Sequence, residues 1–249
     1  MTTTVAIVVA YHPDLAVADA LLARLQGCCD GIVVVDNGDE AALKSRCDRM
    51  TPGTVRYLPN ASNLGIAAAL NRGVATAWDM GATHVLLSDH DSLPATDMLS
   101  ILHRTLASLE AAGKHVAAVG PMFSDRLRPS DSPFVRVVNG RFSRIEAGNA
   151  EAPLQLDCLI TSGSLISRAA WNAIGPMNEM LFIDYVDIEW GLRAQRLGWS
   201  CYGEPAAGMM EWEDGRVQLV DTPPITADYL ESYLSSIERW GDGCVLVVD

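Results

Sequence analysis

The chain has 249 residues, 49% of them hydrophobic and 20% charged, so it holds enough apolar material for a folded core and is not a disordered chain. Lysine and arginine together number 18 and aspartate and glutamate 31, which gives a formal net charge of −13. A chain this acidic is disfavoured as a binder of nucleic acid or of anionic lipid, because both need clustered basic side chains.

The cysteines and the apolar runs bear on the cellular compartment. Six cysteines are present, and their spacing is typical neither of a zinc site nor of a CxxC motif, so we expect reduced thiols in a cytoplasmic protein. The N-terminal residues Met1 to Ala10 lack the basic and long apolar regions of a signal peptide. No run approaches the ~18 apolar residues of a membrane helix, so we expect at most a peripheral association with a membrane.

The first half of the chain alternates predicted strands and helices. Short apolar, β-branched runs predict five buried strands, at Thr4–Ala10, Gly31–Val35, Val55–Leu58, His84–Leu87 and Val116–Val119. Apolar residues at helical spacing predict helices between them, at Leu15–Leu25, at Gly65–Met80 with Gly81 as its C-cap, and from Pro94 to about Ala112. This order predicts an α/β fold with a mostly parallel sheet and helices on both faces. Ligands bind such sheets beyond the C-terminal ends of the strands.

The second half of the chain has a weaker pattern. Asn139-Gly140 predicts a hairpin turn between the runs Val135–Val138 and Arg141–Ile145. Further on we predict one strand and three helices, in that order, at Cys158–Thr161, Arg168–Ile174, Asp187–Leu197 and Tyr229–Trp240. No linker or internal repeat interrupts the chain, so we predict one compact domain over residues 1–249.

The turn after the first strand excludes two common nucleotide-binding classes. Residues Ala10 to Asp14 read AYHPD, without the GxGxxG that lets the backbone approach a dinucleotide pyrophosphate. The glycine-rich, lysine-ended phosphate loop is absent as well.

Two carboxylates close the fourth predicted strand. Asp89 and Asp91 flank His90, and acids two residues apart at a strand end point the same way and can share a hard divalent cation and a sugar hydroxyl. The alternative is a polar turn that caps the following helix.

A second acidic cluster lies among apolar residues. Asp184, Asp187 and Glu189 fall between Phe182 and Trp190, and a helix that begins near Asp187 would stabilise a carboxylate at its N-terminus. The alternative is an ordinary helix cap with acids in the first turn.

Six segments, taken in order, resemble the family 2 glycosyltransferases of GT-A fold, and most closely their bacterial rhamnosyltransferase branch. The segments, which run from about Thr4 to Gly203, are VVAYHPD, VVVDNGD, NLGIAAALNRG, LLSDHDS, ITSGSLIS and LFIDYVDIEWGLRA. The resemblance implies a Rossmann-like sheet with a smaller acceptor-side β region, a dTDP- or UDP-sugar donor, Mg²⁺ or Mn²⁺, and inversion at the anomeric carbon. It also implies a nucleotide-sugar-binding half at residues 1–122 and an acceptor and catalytic-base half at 123–249. The activity implied is transfer of a sugar, L-rhamnose from dTDP-rhamnose, to a saccharide or lipid-linked acceptor.

The resemblance further implies roles for individual residues. Asp187 is the catalytic base, Asp184 positions the acceptor or adjusts the charge of Asp187, and Asp91 and Asp89 hold the metal. The donor-binding residues are Tyr11, Asp36, Asn63, Gly65, Asn71, Asp89, Gly163 and Ser164. For Asp36, a hydrogen bond to the turn amide of Gly38 is the alternative to a donor contact.

The chain departs from the family pattern at three places. His12 stands where relatives commonly have asparagine, and His90 stands inside the Asp-x-Asp motif. Residues 207–215 lack the histidine that often completes the metal shell, and Glu211 or Glu213 could replace it as an oxygen ligand. A GT-A scaffold that binds a nucleotide or a partner without turnover is therefore the alternative function, and a sugar-nucleotide synthesising enzyme comes third.

Overall fold

The computed structural model describes residues 2–38, 40–125, 134–138, 141–145 and 152–211. The strands are β1 Thr4–Ala10, β2 Gly31–Asp36, β3 Val55–Pro59, β4 His84–Asp89, β5 Ser92–Pro94, β6 Val116–Asp125, β7 Phe134–Val138, β8 Arg141–Ile145, β9 Leu154–Leu156, β10 Leu165–Ser167 and β11 Ser200–Glu211. The helices are α1 Leu15–Gln26, α2 Ala41–Arg49, α3 Gly65–Asp79, α4 Met98–Ala111, α5 Arg168–Ile174 and α6 Val186–Arg196, and a single 3₁₀ turn spans Glu179–Leu181. None of the helices within these ranges is both long enough and apolar enough to cross a membrane.

One large sheet organises the described part of the chain. Its strand order is β3-β2-β1-β4-β10-β6-β11-β5, β9 also pairs with β11, and β7 and β8 form a separate antiparallel hairpin. Strands β3, β2, β1 and β4 are parallel, and β10 runs antiparallel between β4 and β6. The predicted α/β fold with a mostly parallel sheet and the predicted hairpin are therefore confirmed.

The core forms two layers, one on each face of the sheet. Successive side chains of a strand point to opposite faces, so Val5, Ile7 and Val9 of β1 pack in one layer and Ala6, Val8 and Ala10 in the other. The first layer contains buried residues of α3, α5 and α6, and the second contains those of α1, α2 and α4. Helices thus cover both faces, as the continuous apolar strands require.

Two predicted elements are corrected by the structure. Pro94 does not begin a helix: it ends β5, which lies at the edge of the sheet, where a missing backbone N–H disrupts no ladder hydrogen bond. Residues Cys158–Thr161 are not a strand, because Leu154–Leu156 pairs with β11 instead. The apolar Cys158 is buried by close packing against Gly191 of α6.

Besides the 3₁₀ turn, five elements were not predicted, namely α2, β5, β9, β10 and β11. Helix α2 is mostly polar and buries only Leu43 and Cys47, so it has little apolar periodicity. Strand β11 contains a register shift between Glu204 and Gly208, which breaks the alternation of a regular strand. The helix predicted at Tyr229–Trp240 lies outside the described residues.

The close approach of α3 to β1 depends on a glycine. A Cβ atom at Gly73 would lie 2.4 Å from Ile7 Cγ2 and 3.0 Å from Val35 Cγ2. Both contacts are with fully buried, branched side chains. We therefore predict that Gly73→Ala lowers the free energy of unfolding by about 1–3 kcal/mol, because it overpacks the core. Urea unfolding measures the change, and Gly208→Ala is the matched control, since its added Cβ would meet only Ala95 Cβ at 3.8 Å. Equal losses in the two variants would contradict the prediction.

Candidate functional site

The C-terminal ends of three parallel strands meet at one edge of the sheet. Ala10, the last residue of β1, pairs with Asp36, and Val9 pairs with Asp89. Parallel register therefore brings the turns after β1, β2 and β4 together, as the sequence predicts. Tyr11, directly after β1, is 48% exposed, so its ring is available to a ligand at this edge.

The turn after β1 is held in an unusual backbone conformation. His12 has a φ angle of 47°, a left-handed conformation that is uncommon for a residue other than glycine. Its Nδ1 lies 2.6 Å from Glu40 Oε1, and its ring contacts the Tyr11 ring at 4.2 Å between centroids. The contact with Glu40 therefore joins the turn after β1 to the start of α2.

Asp36 is fully buried and fully hydrogen-bonded. Its Oδ1 accepts from the Gly38 backbone N–H at 2.8 Å, and its Oδ2 accepts from the Glu40 backbone N–H at 2.7 Å and from the Tyr57 hydroxyl at 2.6 Å. The turn contact to Gly38, one of the two alternatives for this residue, is therefore present. Contact with a donor base or ribose stays a prediction.

An asparagine network fixes the start of α3. The Asn37 amide donates to the Gly65 carbonyl at 3.2 Å, and the Asn60 amide donates to Asn37 Oδ1 at 2.6 Å. Asn63 Oδ1 accepts from the Gly65 backbone N–H at 2.9 Å. Asn63 and Gly65 thus lie beside the strand-end turns, in one network with Asn37 and Asn60. Their contact with a donor stays a prediction.

Gly65 permits a close contact with the acidic segment. Its φ angle is 81°, and a Cβ atom there would lie 2.4 Å from the Phe182 carbonyl oxygen, so no other residue fits without rearrangement. The same carbonyl accepts from the Ile66 backbone N–H at 2.7 Å. Phe182 itself has a left-handed φ of 57°. The first turn of α3 is therefore bonded directly to the segment that precedes α6.

Asn71 makes a second connection between α3 and this segment. Its side-chain amide donates to the Met177 carbonyl and to Glu179 Oε1, both at 2.9 Å, and its Oδ1 accepts from the Met177 backbone N–H at 2.8 Å. The structure thus gives Asn71 a bridging position.

The two carboxylates at the end of β4 are placed differently from the expectation. Asp89 is the last residue of β4, whereas Asp91 is exposed in the turn between β4 and β5, so the two acids do not alternate along one strand. Ser92, next to Asp91, pairs with Glu211 of β11. This register brings the backbone of Glu211, one of the two proposed substitute ligands, to the Asp91 turn. Glu213 lies outside the described residues.

A loop of small residues lies against the end of β4. The Asp89 backbone N–H donates to Ser162 Oγ at 3.0 Å, and the Gly163 backbone N–H donates to the Leu87 carbonyl at 2.8 Å. Gly163 has a φ of 77°, and a Cβ there would lie 2.5 Å from Pro121 Cγ. Ser162 therefore contacts Asp89, Gly163 and Ser164 are bonded to Leu87 two residues earlier in β4, and glycine is required at position 163.

Asp187 lies on the other side of the same loop, in the first turn of α6. Burial raises the pKa of its carboxyl group above the ordinary aspartate value, and hydrogen bonds from the Ile188, Asp187 and Thr161 backbones oppose this rise. Thr161, Ser164 and Asp187 line a small cavity of about 10 Å³, which is about the volume that one water molecule needs. A half-buried carboxylate with a raised pKa is suited to accept a proton.

The other two acids of the cluster have different surroundings. Asp184 is exposed, between the left-handed residues Phe182 and Tyr185, which has a φ of 63°. Glu189 forms an ion pair with Arg193, at 2.8 Å between Oε1 and Nε. Arg193 also donates to the backbone carbonyl of Ile174 at 2.7 Å, so Glu189 belongs to a contact that holds α6 in place.

The described residues contain no group of three or more His, Cys, Asp and Glu side chains suited to hold a metal ion. The carboxylates of Asp89 and Asp91 nevertheless have the right chemistry, because Mg²⁺ is commonly bound by one or two carboxylates together with substrate phosphates. The residues present therefore fit a divalent cation that is held jointly with a diphosphate.

Almost the whole chain matches one family of known proteins. The model of glycosyltransferase-like family 2 matches residues 3–243. The chain belongs to this family. It is 30% identical over 194 residues to the dTDP-rhamnosyl transferase RfbF of Shigella flexneri, an alignment that covers 78% of this chain and 63% of that protein. The chain thus spans less than two thirds of the length of this relative.

Solved structures establish the fold. This member of family 2 superposes on GalNAc-T7, crystallised with UDP, GalNAc and Mn²⁺, with a TM-score of 0.66 at 13% identity, over 85% of this chain and 44% of that one. It superposes on S. aureus TarS with a TM-score of 0.62 at 14% identity, over 85% of this chain and 37% of that one. These neighbours are GT-A glycosyltransferases, so the predicted GT-A fold and the predicted family are both confirmed.

The hydrogen bonds of Asp36 predict a structural effect that needs no ligand. We expect Asp36→Asn to lower the free energy of unfolding by about 1–3 kcal/mol, because an amide has one acceptor oxygen and leaves a buried donor unsatisfied. Urea unfolding of the ligand-free protein measures this loss. Tyr57→Phe removes one of the three donors and should cost about 1 kcal/mol. An Asp36→Asn variant as stable as the wild type would show that the network does not hold this turn.

Proposed function

We propose that this chain is a metal-dependent, inverting glycosyltransferase that transfers L-rhamnose from dTDP-rhamnose to a hydroxyl group of a saccharide or lipid-linked acceptor. The observation that carries the proposal within the family is the loop 161–164. It contacts Asp187, a half-buried carboxylate with a raised pKa, on one side and the backbone of Asp89, at the end of β4, on the other. Inverting transfer needs one base for the acceptor hydroxyl and one positive centre for the leaving diphosphate.

Asp187 is proposed as the base. Its carboxylate takes the proton of the acceptor hydroxyl as that oxygen attacks the anomeric carbon from the side opposite the leaving group. Burial raises its pKa, which increases its affinity for that proton. Asp184, exposed at the preceding turn, is proposed to position the acceptor. A single carboxylate suffices for inversion, because no covalent sugar intermediate forms.

Asp91 and Asp89 are proposed to hold Mg²⁺ or Mn²⁺ together with the donor diphosphate. The ion would supply a Lewis acid for the developing charge of the leaving diphosphate. The formal net charge of the chain is −13, and a cation would offset the repulsion between a bound diphosphate and the two carboxylates. The neighbour GalNAc-T7 was crystallised with Mn²⁺, which supports the proposal.

The donor is proposed from the relative and from the strand-end turns. RfbF is named a dTDP-rhamnosyl transferase, and a second TarS structure, on which this chain superposes with a TM-score of 0.58, contains UDP. Tyr11 and Asp36 are proposed to contact the base and ribose, Asn63, Gly65 and Asn71 to shape the nucleotide pocket, and Gly163 and Ser164 to adjoin the sugar. Asn71 lies further along α3, and the other residues lie at the strand ends, in the loops that follow or precede them, and at the start of α3.

The chain is proposed to form one domain with two functional halves. Residues 1–122 would form the donor half and 123–249 the acceptor and base half of one domain. A cytoplasmic location, with association to the membrane through an acceptor or partner, is proposed for the reaction.

The assignment of Asp187 predicts a specific loss of turnover. Asp187→Asn retains size and removes the proton acceptor, so we expect kcat to fall by roughly 10²–10⁴-fold with donor affinity near that of the wild type. Nucleotide release measures kcat, and calorimetry with the donor measures affinity. Because burial raises the Asp187 pKa, the wild-type rate should fall on acidification at a pH above the ordinary aspartate pKa of ~3.9.

Two neighbouring carboxylates serve as controls for this experiment. Glu189→Gln should retain proton transfer, since Glu189 is paired with Arg193, and Asp184→Asn should reduce kcat less than Asp187→Asn. If Asp187→Asn keeps near-full transfer while Asp184→Asn or Glu189→Gln loses it, the base is the other residue. If the wild type itself does not turn over the donor with Mg²⁺ or Mn²⁺, the result would favour a nucleotide-binding scaffold.

The metal assignment predicts changes in metal-dependent nucleotide binding. We expect Asp91→Ala to abolish the stabilisation that dTDP with Mn²⁺ gives in a melting experiment, and Asp89→Ala to weaken it. Glu211→Gln should raise the Mn²⁺ concentration required by roughly tenfold or more if Glu211 contributes an oxygen ligand. Glu110→Gln, at the C-terminal end of α4, should change nothing. Full stabilisation of Asp91→Ala by dTDP and Mn²⁺ would refute the assignment.

A further inference from the structure

Two adjacent cysteines lie at the end of the sheet opposite to the candidate site. Cys28 and Cys29 follow α1, and the next residue, Asp30, donates its backbone N–H to the Thr4 carbonyl at 2.9 Å at the start of β1. The two Sγ atoms are 3.8 Å apart. Both residues are partly exposed.

The pair differs from the other cysteines within the described ranges. Cys47, Cys158 and Cys201 are buried, and burial raises the pKa values of their thiols to about 11, 12 and 12. A thiol reagent dissolved in water therefore meets Cys28 and Cys29 in preference to these three. Cys244 lies outside the described residues.

The two thiols of the pair have opposite tendencies to ionise. A hydrogen bond from the Cys29 thiol lowers the pKa of Cys28, burial opposes this, and the Arg24 guanidinium favours the thiolate. The same hydrogen bond, with burial, raises the pKa of Cys29. Of the two thiols, Cys28 therefore has the lower pKa and ionises first.

Space for an organic group adjoins Cys28. The residue lines a groove of about 760 Å³ beside α4, whose walls include Thr4, His84, Leu99 and His103. The groove has apolar and imidazole surfaces, and a planar aromatic substituent fits such surroundings.

The geometry of the pair favours a bridging atom over a disulfide. Neighbouring Cα atoms are ~3.8 Å apart across a trans peptide, which is shorter than the ~4.4–6.8 Å of ordinary disulfides. The Sγ atoms, at 3.8 Å, would have to approach to ~2.05 Å to bond to each other. A single atom with bonds of about 2.3 Å to sulfur, the length of metal–thiolate bonds, reaches both without such an approach.

We propose that Cys28 and Cys29 form a vicinal dithiol site that captures monosubstituted trivalent arsenicals, R–As=O, in a two-sulfur chelate. The arsenic carries its own organic group and needs two further sulfur bonds, which is the number this pair provides. Two As–S bonds form, two S–H bonds break, and the arsenical oxygen leaves with both protons as one water molecule. Arsenic remains trivalent, so the step requires no oxidant or reductant.

Phenylarsine oxide is the probe that tests this site. The experiment uses the folded full chain with Cys244→Ser, which leaves Cys28 and Cys29 and the three buried cysteines. Intact mass spectrometry should show the addition of one phenylarsine oxide with the loss of one water molecule. A monothiol should not displace the group, whereas 2,3-dimercaptopropanol should. Peptide mapping should show Cys28 and Cys29 protected from iodoacetamide. An adduct that a monothiol removes, or protection at another cysteine, would overturn the proposal.

Single substitutions separate a chelate from attachment at one sulfur. Cys28→Ser and Cys29→Ser should each weaken phenylarsine oxide binding by about 100-fold or more, because the second bond is then no longer intramolecular. Cys47→Ser, which removes a buried thiol, should bind as the parent does. Undiminished binding in either single variant would refute the chelate. The mapping experiment needs neither of these two variants, so the proposal is tested even if both fail to fold.

Discussion

The insertion of one short antiparallel strand, β10, between β4 and β6 determines the arrangement of the candidate site. Its preceding loop is held by hydrogen bonds from Gly163 to Leu87 and from the Asp89 backbone to Ser162. Both hydrogen bonds use backbone groups of β4, so the position of the loop does not depend on the side chains at the end of that strand. Because its other side, at Thr161, contacts Asp187, a single loop sets the position of the proposed base relative to the proposed metal ligands.

The acidic residues of the candidate site differ in their burial and in their partners. The acids of the site differ in their compensation: Asp36 accepts three hydrogen bonds, Glu189 is paired with Arg193, and Asp91 is exposed. Asp187 is left half-buried with backbone donors alone, and its pKa rises. Burial thus raises the pKa of the acid that is proposed as the base.

The sequence predicted the strands that form the parallel half of the sheet, because β1, β2 and β4 are continuous apolar runs with polar residues directly after them. The strand ends at Asp36 and Asp89 followed from this pattern, and the resemblance to a family supplied Asp187. The sequence did not predict β10, because a strand of three residues shows no periodicity. It did not predict β11 either, because that strand contains a register shift. The hydrogen bonds of Tyr57 and Asn60 depend on neighbours 21 and 23 residues away, and local sequence does not reveal such partners.

Helix α3 contacts both the strand-end turns and the segment that precedes α6. Its first turn is bonded to the Phe182 carbonyl, and Asn71 is bonded to Met177 and Glu179. The helix that packs on β1 is therefore also the support of the segment that leads to Asp187. Replacing residues 177–187 with the corresponding segment of a relative would disrupt these hydrogen bonds unless the matching face of α3 were exchanged as well. The natural unit for building chimeric enzymes on this scaffold consequently includes α3 together with residues 177–187, although more than a hundred residues of chain separate Asn71 from Met177.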